Sequence, residues 1–134
     1  MDASVDNKAI VLRYGESCWN RQDPDAILDT HHETFAQNGV PVGTEAFRRD
    51  LAGFFRAFPD VRVTIEDVMA SDDRVLTRVV YHGTQTGPYE GMPPTGRRIR
   101  VGGLELFLLL EGRIVHHWHE MDHLAIRRQL GAAD

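Results

Sequence analysis

The sequence contains very little cysteine and lysine. Cys18 is the only cysteine, which excludes an internal disulfide framework and a cysteine-based zinc site. Lys8 is the only lysine, so nearly all the positive charge is arginine, and the arginines are scattered along the chain. The net charge of -5 argues against a nucleic-acid-binding protein, because that function requires a basic face to displace counterions from phosphates.

Long hydrophobic runs are also missing. The longest uninterrupted apolar run, LFLLL at 106–110, is too short to cross a bilayer. The first residues, MDASVDNK, are acidic and no apolar segment follows them, so no signal peptide is predicted. The length of 134 residues predicts one domain, 1–134. We therefore expect a soluble cytoplasmic protein that binds neither a membrane nor nucleic acid.

Helical periodicity dominates the first half of the chain. A first helix is predicted after a cap at Asp6, and a short second helix after a cap at Asp23. Residues 33–39 read as a brief extended segment. Thr44 is predicted to cap the strongest amphipathic helix, which Pro59 ends and whose apolar stripe consists of Phe47, Leu51, Phe54, Phe55 and Phe58.

The periodicity changes to alternation after Pro59. Strands are predicted at 61–70, 75–86, 97–110 and 114–122, followed by a short helix at 123–131. In the first strand, Val61, Val63, Ile65 and Met69 are predicted to share one face. Helices followed by long antiparallel strands predict an α+β domain, a curved sheet wrapped around helices as a cone with a ligand cavity at its open end.

The segment HHWHEMDH at 116–123 contains a possible metal site. On a strand, His117 and His119 point to the same side, and His123 offers a third ligand. A His-x-His metal site of the cupin type also needs a glutamate a few residues later and a distant histidine, and the pattern here lacks that spacing. We therefore predict no metal.

The other face of the same segment suggests acid/base chemistry. Strict alternation groups Ile114, His116, Trp118, Glu120 and Asp122 on one side. A carboxyl group at Asp122, beside the Trp118 indole in a cavity, would be desolvated, and its pKa would rise from about 4 toward neutrality, where it can take and return a proton. The alternative is that Asp122 only caps the final helix. Spacing alone leaves both interpretations open.

Glu105 is the only charge in the apolar run VGGLELFLLL. A buried carboxylate is costly unless it is paired, protonated or facing a wet cavity. The short turn EGR makes this strand and the last one antiparallel neighbours, which predicts that Glu105 lies opposite residue 119. The alternative is an edge position or a salt bridge to an arginine. Further residues predicted to line the cavity or contact substrate are Trp19, Asn38, Tyr81, His82, Gln85 and Phe107.

Three segments, FPDVRVTIEDVMASDDRV, GTQTGPYEGMPPTGRRI and EGRIVHHWHEMDHLAIRRQLG, together resemble the SnoaL-like polyketide cyclases of the NTF2-like superfamily. The similarity runs from about residue 8 to 131. It implies a cone-shaped α+β barrel that dimerises through its sheet and closes a ring of an aromatic antibiotic polyketide by intramolecular aldol condensation, without metal or cofactor. The position that matches the family's catalytic aspartate is Asp122. Many relatives carry histidine where this chain has Glu105 and Gln85.

Three functions are therefore weighed. In the first, Asp122 removes and returns a proton while Glu105 or His82 stabilises the enolate, and the substrate packs on Trp118, Phe107 and Tyr81. In the second, the same fold hydroxylates a polyketide or hydrolyses an epoxide with a carboxylate pair, which uptake of labelled oxygen would reveal. In the third, the protein only binds a small molecule, and the pKa of Asp122 stays near 4. The first is the function we predict.

Overall fold

The computed structural model describes residues 3–132. Its helices are α1 (Ala3–Tyr14), α2 (Ile27–Thr30), α3 (Gly43–Ala57) and α4 (His123–Gln129). Its strands are β1 (His31–Gln37), β2 (Val40–Pro41), β3 (Arg62–Ser71), β4 (Arg74–Thr84), β5 (Arg98–Leu110) and β6 (Arg113–Met121). None of the described helices is long and apolar enough to cross a membrane.

The six strands form one curved, unclosed sheet in the order β2-β1-β6-β5-β4-β3. All neighbours are antiparallel except β1 and β6, which run parallel. Helix α1 packs against β3 and β4, and α3 packs against β1, so the apolar core lies between the helices and one face of the sheet. The prediction of an α+β, NTF2-like fold with a mostly antiparallel sheet is confirmed.

The turn between β5 and β6 fixes how these two strands pair where they leave the turn. Glu111 and Gly112 both have left-handed backbone angles, with φ of 50° and 80°. Two consecutive left-handed residues make the kind of tight turn whose twist matches that of antiparallel strands. The turn pairs Leu110 with Arg113 and Leu109 with Ile114, and an extra residue at Val115 then shifts the ladder by one, so that Glu105 pairs with His119, as the sequence predicts.

A bulge in β6 reverses the faces predicted for that strand. Leu109 pairs with Ile114 and Leu108 with His116, so Val115 is an extra residue in the ladder. Ile114 therefore faces the core, and beyond the bulge so do His117, His119 and Met121. His116, Trp118 and Glu120 face outward. The prediction that Ile114, His116 and Trp118 share a face is wrong, because strict alternation fails at a bulge.

A second bulge has the same effect in β3. Ile65 pairs with Val79 and Asp67 with Arg78, which leaves Glu66 unpaired. Beyond this point the inward side chains are Val68 and Ala70, both packed against the core. Met69, predicted to share the face of Val61, Val63 and Ile65, is instead 61% exposed.

The helix starts are less predictable than the helices themselves. Asp23 accepts a hydrogen bond from the Asp25 backbone N–H at 3.2 Å, as predicted for a cap. Asp6 lies within the first turn of α1, and Thr44 within that of α3, which begins one residue earlier. Helix α1 is followed by a π-helical turn (Gly15–Asn20), which buries Trp19.

Candidate active site

A cavity of about 270 Å³ opens between α3 and the inward face of β6. Its wall combines apolar and polar side chains from five parts of the chain, among them Trp19, Asn38, Asp50, Phe54, His119 and His123. Mostly apolar cavities with a few convergent polar groups are the usual setting for small-molecule chemistry. The titratable side chains in this wall are Asp50, His119 and His123, so these are the groups placed to exchange a proton with a molecule bound in the cavity.

His119 is the cavity residue with a buried charged partner. Its Nδ1 lies 3.5 Å from Oε2 of Glu105, a side chain from β5 that is 4% exposed. The other oxygen of Glu105, Oε1, accepts a hydrogen bond from the Tyr81 hydroxyl at 2.9 Å. A distance of 3.5 Å is long for a hydrogen bond but well within the range of an ion pair. Because Nδ1 faces Glu105, the Nε2 edge of the ring is the one left to act in the cavity.

The contact between Glu105 and His119 shifts the pKa of both side chains. Burial by itself would raise the pKa of Glu105, but the close contact with His119 and its charge, with His117 and Tyr81 adding to them, bring it below its usual value. Burial by itself would lower the pKa of His119, but the close contact with Glu105 and its charge raise it above its usual value. The result is an imidazole that is more basic than a free histidine although it is largely buried.

A chain of uncharged groups lies behind this pair. His117 Nε2 is 3.9 Å from Glu105 Oε2, His117 Nδ1 is 3.4 Å from His31 Nε2, and His31 Nδ1 is 2.9 Å from the Thr30 hydroxyl. Burial lowers the pKa of His117 to about 4, and burial followed by His117 holds the pKa of His31 well below its usual range. Both imidazoles are therefore neutral near pH 7. Two neutral imidazoles therefore connect the Glu105 carboxylate to Thr30, whose hydroxyl donates to the Ile27 carbonyl oxygen at 3.4 Å.

Glu105, His117 and His119 are also a possible metal site. Three of their atoms, Glu105 Oε2, His117 Nε2 and His119 Nδ1, lie within 4.8 Å of one another and have no hydrogen-bond partner among residues 3–132. Two imidazoles and a carboxylate suit zinc or iron. Ligands about 2.1 Å from a tetrahedral ion stand roughly 3.4 Å apart, so the three atoms would have to move inward to bind one. An ion pair requires no such movement, and the absence of a metal stays a prediction.

The structure does not support the site predicted around Asp122. This side chain is exposed, and its Oδ1 accepts a hydrogen bond from the Ala125 backbone N–H at 3.0 Å, as the N-cap of α4. Trp118 is on the outer face of the sheet, where its ring stacks on His116 at 3.8 Å. The expected location of Asp122, in a cavity beside this indole, is therefore wrong. The bulge at Val115 is the physical reason.

His82 is also far from its predicted position. It lies on the outer face of β4, between Arg62 of β3 and Arg100 of β5 in the strand register. Alternation along β4 turns its neighbour Tyr81 inward, where the hydroxyl binds Glu105. His82 is therefore not among the residues that line this cavity, and the prediction that it does so is wrong.

Of the other residues predicted to line the cavity, some do so and others are buried elsewhere. Trp19 and Asn38 line the cavity. Phe107 is buried in the core, with its ring centre 5.1 Å from that of His117. Gln85 is fully buried and binds the backbone of the following loop, so it supports that loop and does not contact substrate. No substrate contact of Trp19 or Asn38 has been tested, and these two roles stay predictions.

The sequence reasoning missed the importance of His119. It placed His117 and His119 on one face but considered them only as metal ligands. The signal was available in two features that were treated separately: the lone carboxylate of Glu105 in an apolar strand, and the predicted register that sets it opposite residue 119. A buried carboxylate directly across from a histidine predicts an ion pair.

Comparison with known proteins identifies the family of the chain. The profile of the SnoaL-like polyketide cyclases matches residues 9–130. The chain belongs to the SnoaL-like polyketide cyclase family. The aklanonic acid methyl ester cyclase AcmA of Streptomyces galilaeus is 29% identical over 130 residues, which are 92% of this chain and 89% of that protein. The nogalonic acid methyl ester cyclase of Streptomyces nogalater is 31% identical over 97 residues, 71% of this chain and 72% of that protein.

A solved structure supports the same assignment for the fold. TsrD from Streptomyces laurentii superimposes with a TM-score of 0.88 at 29% identity and covers 96% of this chain and 97% of its own. The predictions of a SnoaL-like family member, of a cyclase-type enzyme and of a polyketide-like small-molecule substrate are confirmed at this level. The residues that carry out the reaction in this SnoaL-like protein remain a matter for proposal.

Proposed function

We propose that the protein closes a ring of an aromatic polyketide by intramolecular aldol condensation, with His119 as the residue that transfers the proton. The observation that supports this role is the contact between His119 Nδ1 and the buried Glu105 carboxylate at 3.5 Å, in a side chain that lines the cavity. Glu105 positions the ring and increases its basicity. Asp122, the residue that matches the family's aspartate, has no part in this scheme.

The reaction proceeds in three steps. Neutral His119 removes a proton from the carbon next to a substrate carbonyl, which leaves an enolate and an imidazolium paired with Glu105. The enolate carbon attacks a second carbonyl of the same molecule, forming the C–C bond and an alkoxide. The imidazolium then returns its proton to the alkoxide. No atom is gained or lost, so the reaction consumes no oxidant, reductant or water.

The substrates of the two relatives provide the direct test. Purified protein is incubated with aklanonic acid methyl ester and with nogalonic acid methyl ester, and ring closure is followed by liquid chromatography and mass spectrometry. We expect a product of unchanged mass and altered retention, a loss of at least 10²-fold in His119→Gln, and full activity after treatment with a chelator. His82→Gln, a histidine on the outer face of the sheet, is the matched control.

Other outcomes of the same assay select other functions. A product heavier by one oxygen, labelled from O2 or from water, would mean hydroxylation or hydrolysis. Loss of activity with a chelator would mean that a metal takes part. Full activity in His119→Gln would show that the proton-transfer role is assigned to the wrong residue. Binding of both esters without turnover would favour a small-molecule binding protein.

We also propose that the protein is a homodimer joined through the outer face of the sheet. Leu104 and Leu110 of β5 are 53% and 64% exposed there, next to the half-buried Leu106, Leu108 and Trp118. A contiguous apolar patch of this kind is unusual on a monomer. Analytical ultracentrifugation should give twice the chain mass, and Leu104→Glu should give a monomer. A monomeric wild-type protein at micromolar concentration would refute the proposal.

A further inference from the structure

His123 is a second histidine at the mouth of the cavity, and it too has a defined partner. It is the first residue of α4, and its Nδ1 lies 3.1 Å from the hydroxyl oxygen of Tyr89. Tyr89 is only 8% exposed, and its ring packs edge-on against Phe58 at 5.4 Å and Phe54 at 6.0 Å. A hydrogen bond from a buried tyrosine restricts an imidazole that is otherwise exposed to solvent.

Tyr89 belongs to the loop between β4 and β5, and this loop is held firmly. The buried side chain of Gln85 donates to the Pro93 carbonyl at 3.2 Å and accepts from the Thr95 hydroxyl at 2.7 Å. Gly87 passes so close to α3 that a Cβ atom there would stand 2.2 Å from the Arg56 carbonyl oxygen, so only glycine fits. These contacts anchor the loop on both sides of Tyr89 and hold that residue in place.

The contact with Tyr89 bears on which nitrogen of His123 carries the proton. Burial, followed by the charge of Glu90 and a hydrogen bond with its side chain, raises the pKa of Tyr89, so the phenol keeps its proton, which Nδ1 of His123 can accept. The nearby carboxylate of Glu90 competes for this proton but is paired with Arg127 at 3.7 Å. When Nδ1 accepts, a neutral imidazole carries its hydrogen on Nε2. His123 then presents an N–H donor at the cavity wall.

We propose that His123 is a second catalytic residue, whose Nε2–H donates a hydrogen bond to the enolate oxygen formed when His119 removes the substrate proton. The assignment rests on the proposed function. An enolate requires a donor where its negative charge develops, and an uncharged N–H supplies one without holding the product as an ion pair. The other titratable side chain of the cavity wall, Asp50, is a carboxylate that would repel the same oxygen.

The first experiment examines the tautomer and does not depend on turnover. ¹⁵N-labelled histidine side chains are observed by NMR at a pH where His123 is neutral, with His123→Gln used to assign its signals. We expect the Nε2–H form in the wild-type protein and a mixture of both forms in Tyr89→Phe, which keeps the packed ring and removes the hydroxyl. A predominant Nδ1–H form in the wild-type protein would overturn the proposal.

The second experiment measures stabilisation of an oxyanion with 1-naphthol, whose naphtholate form mimics an enolate. Its ionisation when bound is followed by absorbance in the wild-type protein and in His123→Ala, His123→Gln and His119→Gln. We expect the ionisation constant of the bound probe to fall about tenfold in His123→Ala and to be largely restored in His123→Gln, because the glutamine amide retains an N–H donor. An equal ionisation constant in the wild-type protein and His123→Ala, or failure of naphthol to bind better than to heat-unfolded protein, would overturn the proposal.

Measurements of kcat and KM distinguish the proposed role of His123 from the proposed role of His119. With a methyl ester that the protein cyclises, His123→Ala should lower kcat about 10²-fold with little change in KM, and His123→Gln should lose less than tenfold. If His119→Gln is inactive but His123→Ala is fully active, the role of His123 is refuted and that of His119 stands. If His119→Gln keeps its activity while His123→Ala loses it, the proposed function fails and His123 retains its role as an oxyanion donor.

Discussion

His119 Nδ1 lies 3.5 Å from Glu105 Oε2, across two strands that a two-residue turn joins. The carboxylate is buried and receives a hydrogen bond from Tyr81, and the imidazole lines the cavity. Glu105 is thus shielded from water, whereas its partner His119 is accessible to a ligand in the cavity.

Replacing Glu105 by glutamine should shift the dependence of activity on pH. Neutral His119 is the active form, so kcat/KM should rise with pH through the His119 pKa. Glu105 raises that pKa and burial lowers it, so without the charge the rising limb should move to lower pH and the maximal rate should fall about tenfold or more. The measurement is kcat/KM from pH 5 to 9, with His82→Gln as control. If the midpoint of the pH profile is unchanged in Glu105→Gln, Glu105 does not raise the pKa of His119 and the proposed interaction between these two residues is contradicted.

Substitutions at Asp122 should affect stability and leave catalysis intact. Asp122→Asn keeps a good helix cap and removes the charge, so we expect wild-type activity and stability. Asp122→Ala removes the acceptor for the Ala125 N–H and should cost about 1 kcal/mol of unfolding free energy. Urea unfolding and kcat are measured on the same samples. An inactive but stable Asp122→Asn variant would restore Asp122 as the catalytic residue.

Asn38 should act as a positioning residue for His119. Its side-chain amide donates to the His119 carbonyl at 3.2 Å, and its Oδ1 accepts from the His119 N–H at 2.8 Å. Asn38→Gly retains the left-handed backbone (φ 52°) without strain but loses both bonds, so we expect a loss of about 1 kcal/mol in stability and a fall in kcat larger than any rise in KM.

The control for this variant is Asn20, whose side chain binds the backbone of Val63 in the same two-bond manner at 3.1 and 2.7 Å. Asn20→Ala should lose similar stability and keep its kcat. The pKa of His119, measured by NMR, should change in Asn38→Gly and stay constant in Asn20→Ala. Equal effects of both substitutions on kcat would mean that the role of Asn38 is only structural.

Acid should destabilise the protein through its buried neutral histidines. The folded-state pKa of His117, about 4, is below the unfolded value of 6.5, so the unfolded chain binds the extra proton as the pH falls from about 6.5 to 4. This difference amounts to about 3 kcal/mol of lost stability, and His31 adds to it. His119 has the opposite sign, since its raised pKa contributes stability that is lost as the pH rises.

Urea unfolding at pH 7, 6, 5 and 4.5 measures this dependence. We expect the unfolding free energy of the wild-type protein to fall steadily over the series, and that of His117→Gln to fall less steeply from a lower starting value. His82→Gln, which removes an outer-face histidine, should keep the wild-type slope. Parallel curves for His117→Gln and the wild-type protein would show that His117 is not held neutral by burial.

Local patterns in the sequence predict much of the architecture. The period of 3.6 residues in α3, the alternation in β4 and β5, and the left-handed turn at Glu111 and Gly112 are each encoded by neighbouring residues. The pairing of Leu110 with Arg113 follows from the length of that turn, whereas the pairing of Glu105 with His119 also requires the extra residue at Val115. The N-cap alternative for Asp122, also a local pattern, is the arrangement found.

The faces of the strands and the partners of the site depend on the tertiary structure. The extra residue at Val115 lies where β6 pairs with β5 on one side and β1 on the other, and it moves His119 inward and Trp118 outward. Alternation cannot reveal such a bulge, since the residues on either side look like an ordinary strand. The contact between Tyr89 and His123 joins residues 34 positions apart through a loop that packs on α3. The sequence by itself determined most of the elements, the hairpin turn and the family resemblance. Packing of distant segments decided which histidines meet the cavity, because bulges and long loops are settled by contacts that no local pattern contains.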